Sequence, residues 1–184
     1  VVGLSVMTPQ APVAYELTRI LNSAYPHVTT VIGGSHARYY QKQVMNLPAD
    51  IMFNFVVSGD GWDAMLEITT GLVHQQRTPV LLSKKTRKLT DIPAPTRPVS
   101  LMEKYSFDVA GVPAAHTITA LGCPFTCHFC ESGLESVRTF SSDMIDRDLQ
   151  TISSAQDELG YSKKAVMFFD DVGLMSSKQV ERLS

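Results

Sequence analysis

The sequence predicts an α/β fold built as two successive stretches, and three observations predict it. Apolar runs of strand length alternate with helical patterns over residues 1–73 and again from 114 onward. Glycines and other turn residues fall at the C-terminal ends of the strands. A proline-rich stretch with no sustained period separates the two series. Strands that are apolar throughout and alternate with helices belong to a parallel sheet covered on both faces. The ligand crevice of such a sheet lies beyond the strand C-terminal ends.

The elements follow in order. VVGLSVM (1–7) is strand-like, and after Pro9 and Pro12 a helix is expected with Val13, Leu17, Ile20, Leu21 and Ala24 on its buried side. VTTVI (28–32) is a β-branched strand that stops at Gly33-Gly34, and 37–47 reads as a short helix. IMFNFVV (51–57) is a third strand, ended by Ser58-Gly59-Asp60-Gly61, and 62–73 is a helix. Residues 76–112 are expected to be an ordered linker, with each residue before a proline held extended. Within it, KKTRK (84–88) reads as a solvated turn between short strands. AAHTITAL (114–121) opens the second series as a strand. A loop spans 122–140, and a helix spans 142–159 with Ser142 or Asp143 as N-cap. Its buried side is expected to hold Ile145, Leu149, Ile152 and Leu159. KAVMFF (164–169) is the next strand, Asp170-Asp171 sit at its end, and a helix is expected from Ser176.

Composition narrows the function. With 184 residues, 44% of them hydrophobic, and a mean hydropathy of +0.02, the chain can bury a core. A net charge of −2 and no basic block give no electrostatic support for nucleic-acid binding. No apolar run approaches the about 18 residues of a membrane span. The N-terminus lacks a basic n-region and does not read as a signal peptide. It begins in mid-strand, so an internal piece of a longer protein is expected. All three cysteines, Cys123, Cys127 and Cys130, lie within GCPFTCHFC (122–130). With no distant fourth there is no disulfide framework, which favours a reducing compartment, and the cytoplasm is the expected location.

The cysteine spacing is C-x3-C-x2-C. Structural zinc takes four ligands, usually as two separated pairs, and no second pair exists here. His128 lies between two of the cysteines on a short tether, awkward as a fourth ligand to the same ion. A cubane iron–sulfur cluster has an iron for each of four thiolates, so three thiols leave one iron open for chemistry. A zinc knuckle on a non-catalytic α/β sensor is the reading from a different class.

GCPFTCHFC resembles the cluster-binding loop of the radical S-adenosylmethionine (SAM) enzymes, with Phe129 before the last cysteine and Gly122 and Pro124 at a GCP-type start. The resemblance implies a [4Fe-4S] cluster on Cys123, Cys127 and Cys130 whose unique iron chelates SAM. Reductive cleavage of SAM would then give a 5′-deoxyadenosyl radical that abstracts a substrate hydrogen. It also implies Phe129 near the SAM adenine and Asp170 and Asp171 in the region facing SAM. Arg138 would belong to the run that follows the loop, and a flavodoxin or ferredoxin would be the electron donor.

Residues 1–73 are similar to the C-terminal part of the cobalamin-binding domain that precedes the barrel in one class of these enzymes. VVGLSVMT, VIGGSHA and VVSGDGWDAMLEI carry that likeness. It implies cobalamin contacts from Ser5, Thr8, Gly33, Gly34 and His36. The fold class implied is the C-terminal part of a doubly wound parallel-sheet domain over 1–75, a linker over 76–112, and the first βα units of a radical SAM partial TIM barrel over 113–184. The function implied is cobalamin-dependent radical chemistry on a small-molecule or peptide substrate, with methyl transfer as the expected outcome. A variant reading keeps the radical chemistry but has a first domain that no longer holds cobalamin. Asp60 and Trp62 replace the usual glutamates of their turn, and none of the five histidines lies in a D-x-H-x-x-G loop that would give cobalt a lower axial ligand.

Overall fold

The structure, a computed structural model, describes residues 1–76, 78–83, 88–130, 136–172 and 181. The chain divides into two compact units, Val1–Thr86 and Arg87–Ser184. The turn expected at 84–88 and the helix expected from Ser176 fall almost wholly outside the described residues.

The first unit is a four-stranded sheet in the order β1-β2-β3-β4, parallel throughout. The strands are β1 (Val2–Ser5), β2 (Thr30–Gly33), β3 (Phe55–Val57) and β4 (Val80–Leu82). The β-branched character of TVIG and FVV suits a strand packed on both faces, and all but Gly33 of these seven residues are buried. Alternation then sends successive side chains to opposite faces. Ile32 and Val56 pack with Val6 and Phe53 against α1 (Ala11–Ala24), α2 (Ser35–Tyr39) and α3 (Gln41–Met45). Val31, Phe55 and Val57 pack against Ala64 and Ile68 of α4 (Gly61–Thr69) on the other side. Ile32 and Val56 are wholly buried, each worth about 1.5–3 kcal/mol in removed apolar surface.

Two expectations fail here for identifiable reasons. The α1 helix turns Ala11, Ala14 and Thr18 inward, not Val13, Leu17 and Ile20, which are 72%, 40% and 51% exposed. Small side chains let the helix lie close to the sheet, and the Thr18 hydroxyl is satisfied by the Ala14 carbonyl at 2.8 Å. The helix expected over 37–47 is two five-residue helices that meet at Tyr40, whose φ of −109° and ψ of 28° leave the helical region.

The second unit begins inside the stretch expected as a linker. Residues 76–112 contribute β4 to the first sheet, then α5 (Val99–Tyr105) and β5 (Phe107–Val109) to the second unit. β5 forms a hairpin with β6 (Val112–Thr117) through Ala110-Gly111, both at positive φ, and β6 pairs in parallel with β9 (Ala165–Phe168). The crossover is α6 (Ser142–Glu158), which makes a βαβ unit. Its N-cap is Ser141, one residue before the expected position, with the side chain accepting from the Met144 N–H at 3.2 Å. Ile145 and Ile152 are buried as the periodicity predicts, while Leu149 and Leu159 are half-buried. A separate two-stranded ribbon, β7 (Ala120–Leu121) with β8 (Arg138–Thr139), is antiparallel. No described helix is long and apolar enough to cross a membrane.

Candidate functional site

In the first unit the structure gathers Ser5, Thr8, Gly33, Gly34 and His36 at the C-terminal ends of β1 and β2. Ser5 is in register with Gly33. Gly33 C=O accepts from Val6 N–H, and Val6 C=O accepts from His36 N–H, both at 2.9 Å. Gly34 lies between them at φ +85°, and a Cβ there would stand 2.6 Å from Val6 N and 2.8 Å from Val6 O. A glycine is therefore required twice over, by conformation and by room. We expect Gly34→Ala to cost the first unit at least about 2 kcal/mol, because strain and a backbone clash add. Denaturation followed by fluorescence of Trp62, the only tryptophan, checks this, since it lies in the first unit.

His36, in α2, is buried. Its Nε2 lies 2.6 Å from the Tyr15 hydroxyl and its Nδ1 3.4 Å from the Thr8 hydroxyl, and its ring stacks on Tyr40. Tyr15 is the residue that sequence reasoning missed, because a tyrosine one position away from a helix's buried stripe carries no signal of its partner. Burial holds the His36 imidazole below its ordinary value and lifts the Tyr15 phenol above its own. A lowered folded-state value means that the unfolded chain binds the proton more readily. The His36 contribution to first-unit stability is then constant above neutrality and declines as pH falls through about 6.5, the ordinary histidine value. Melting curves of the native protein and His36→Asn between neutral and mildly acid pH check this, and the variant is expected to lose that slope.

The Ser5 and Thr8 side chains are exposed beside this glycine pair, with no bulky neighbour among these five residues except the buried imidazole. Small hydroxyls and bare backbone at strand C-terminal ends fit a ligand that brings its own bulk and polar groups, as a cobalamin nucleotide tail would. Asp60 stands at the N-cap of α4 and Trp62 in its first turn, 44% exposed.

In the second unit, the cysteine loop leaves β7 and returns through β8. Leu121 is in register with Arg138, and Phe140 N–H donates to Thr119 C=O at 3.0 Å, so the loop's base is closed. Gly122, buried and at φ +88°, turns the chain out of β7 into Cys123. All three thiols are free; Cys123 is half-buried, and Cys127 and Cys130 are exposed. Cys130 N–H donates to Cys127 C=O at 3.0 Å, a tight turn that sets those two side chains on one short bend. Among the described residues no three His, Cys, Asp or Glu side chains are gathered closely enough to hold one metal ion. A cubane gives each thiolate its own iron, so its sulfurs stand farther apart than those closed on a single ion. Three free thiols on one loop fit that group in donor type and number. His128 is exposed, and the Phe129 ring is 92% exposed.

Asp170 and Asp171 lie just past β9. Asp170 Oδ1 accepts from Thr119 N–H at 2.6 Å and from Ala120 N–H at 3.2 Å, and its Oδ2 accepts from the Thr119 hydroxyl at 2.5 Å. Asp171 Oδ2 accepts from Gly122 N–H at 2.8 Å.

Comparison with known proteins agrees with the likeness of the first unit. Residues 1–69 match the B12 binding domain. Over its whole length the chain is 25% identical to an uncharacterized methyltransferase of Pyrococcus horikoshii, covering 42% of that protein. It is 24% identical over 71% of its length to an anaerobic magnesium-protoporphyrin IX monomethyl ester cyclase of Cereibacter sphaeroides, covering 24% of it. The like-named cyclase of Rubrivivax gelatinosus is 28% identical over 71% of the chain, which covers 26% of it. The chain thus spans less than half the length of each of these relatives. No solved structure matches it significantly.

Proposed function

We propose that this chain, which belongs to the cobalamin-binding radical SAM class, is part of an enzyme that makes a carbon radical on its substrate and transfers a methyl group to it. The observation that carries the reading is the loop, closed at its base, bearing three free thiols, two of them exposed, in a unit that follows a B12-binding domain. Cys123, Cys127 and Cys130 would hold a [4Fe-4S] cluster, and the exposed Phe129 would face the SAM adenine. A cluster held there would supply the electron for cleaving SAM to methionine and a 5′-deoxyadenosyl radical, and bound cobalamin would supply the transferable methyl group. Ser5 and Thr8 would donate to polar groups of the corrin tail, while Gly33 and Gly34 let it approach the backbone.

Free thiols at the surface call for a reducing compartment, so the cytoplasm is the proposed location and a flavodoxin or ferredoxin the proposed electron donor. The test is anaerobic reconstitution of the full-length protein with iron, sulfide and cobalamin, then reduction in the presence of SAM. Formation of 5′-deoxyadenosine by protein that retains corrin is the expected result; no SAM cleavage contradicts it. A second reading, radical chemistry without cobalamin, is favoured by Asp60 and Trp62 in place of the glutamates of that turn, and cleavage by corrin-free protein would select it.

A further inference from the structure

We propose that Asp170 and Asp171 are positioning residues for the cysteine loop, and that Asp170 is not a SAM ligand. The inference rests on the function proposed above for that loop. Both carboxylates lie at the end of β9, yet each accepts hydrogen bonds from the segment that leads into Cys123. Asp170 takes two backbone N–H groups and one hydroxyl from Thr119 and Ala120, using both oxygens. Asp171 takes the N–H of Gly122, the residue before Cys123. The antiparallel ribbon of β7 and β8 ties the two ends of the loop to each other. The two aspartates tie the outgoing end to the strand beside β6, so the direction in which Cys123 leaves is set from β9. Carboxylates that accept backbone N–H groups form strong, charge-assisted bonds, and such bonds are worth more when partly shielded from water, as at the half-buried Asp170. A carboxylate whose two oxygens already face three donors has little capacity left for the ammonium group of an amino acid.

Partners behind metal ligands govern affinity without touching the metal, and losing one costs about 10–100-fold. The test compares Asp170→Ala, Asp170→Asn and Asp171→Ala in the full-length protein. Asparagine keeps an oxygen for the Thr119 and Ala120 N–H groups and offers its NH2 to the Thr119 hydroxyl, so it should rescue positioning although it removes the charge. Expected results are iron retention against a chelator reduced about tenfold in Asp170→Ala and nearly native in Asp170→Asn. The paramagnetic resonance spectrum of the reduced cluster should be altered in the first and native in the second.

In metal-free protein, peptide-resolved alkylation should show Cys123 reacting faster in Asp171→Ala while Cys127 and Cys130 keep their native rates. That readout needs no cluster, so it separates this inference from the reading of the loop. If the native protein binds no iron, the proposed function fails and the alkylation pattern still decides the clamp. Hydrogen exchange of α6 identifies any variant that has lost its fold, in which case Thr119→Val, which removes only the hydroxyl bond, replaces it. Native chelator resistance and native alkylation rates in both alanine variants would overturn the proposal. So would Asp170→Asn that keeps its cluster but loses SAM binding, since that marks a charge contact with SAM.

Discussion

Replacing Arg97 by methionine is expected to destabilise the second unit by about 3–5 kcal/mol, the range for stranding a buried charge. Arg97 Nε and Nη2 bind both carboxylate oxygens of Asp148, at 2.5 and 2.8 Å, and Nη2 also donates to the His116 carbonyl at 2.8 Å. Asp148 takes a further bond from the Thr117 hydroxyl at 2.5 Å. The Asp148 side chain is 2% exposed and that of Arg97 12%, so water does not screen the pair. One guanidinium thereby joins the segment before α5 to β6 and to the middle of α6. Hydrogen exchange of the α6 amides reads this unit's stability directly, because Trp62 reports only on the other. Adding Asp148→Asn to Arg97→Met removes the stranded charge while leaving an acceptor for Thr117, and should recover most of the loss. A single-variant cost below about 1 kcal/mol, the value of a surface pair, would contradict the assignment.

The second large effect concerns the thiols. Cys123→Ala, Cys127→Ala or Cys130→Ala should each abolish iron binding on anaerobic reconstitution, because two thiolates cannot retain a cluster that already has an open corner. Cys127 and Cys130 are exposed, so their loss should change folding stability by no more than about 0.5 kcal/mol. His128→Ala should keep its iron, as an exposed residue outside the ligand set. Iron and sulfide analysis beside a thermal melt checks both halves. Full iron content in any of the three cysteine variants would exclude the ligand set.

Much of this architecture can be read from the chain, and each failure has a physical cause. The alternation of VVGL, TVIG and FVV with helical stretches predicts the parallel sheet, since burial on both faces leaves continuous apolar runs. The cysteine spacing is local, so the candidate site can be read in the same way. The buried side of α1 cannot: both Val13-Leu17-Ile20 and Ala11-Ala14-Thr18 keep helical period, and the closeness of the sheet decides between them. The roles of Tyr15 and Asp170 depend on partners 21 and 51 residues away, which no local pattern encodes. Asp148 puts a charge within the buried stripe of α6, and its partner Arg97 lies 51 residues away. The stretch over 76–112 reads as a linker because its strands are only three residues long, yet β4 extends one sheet and β5 begins another.

The most direct measurement is the paramagnetic resonance spectrum of the anaerobically reconstituted, reduced full-length protein, taken with and without SAM. The account predicts a signal from a reduced four-iron cluster whose g values move when SAM is added, because an iron without a protein thiolate takes the cofactor as its ligand. A protein that binds zinc in place of iron, or an iron–sulfur signal that SAM leaves unchanged, would contradict it.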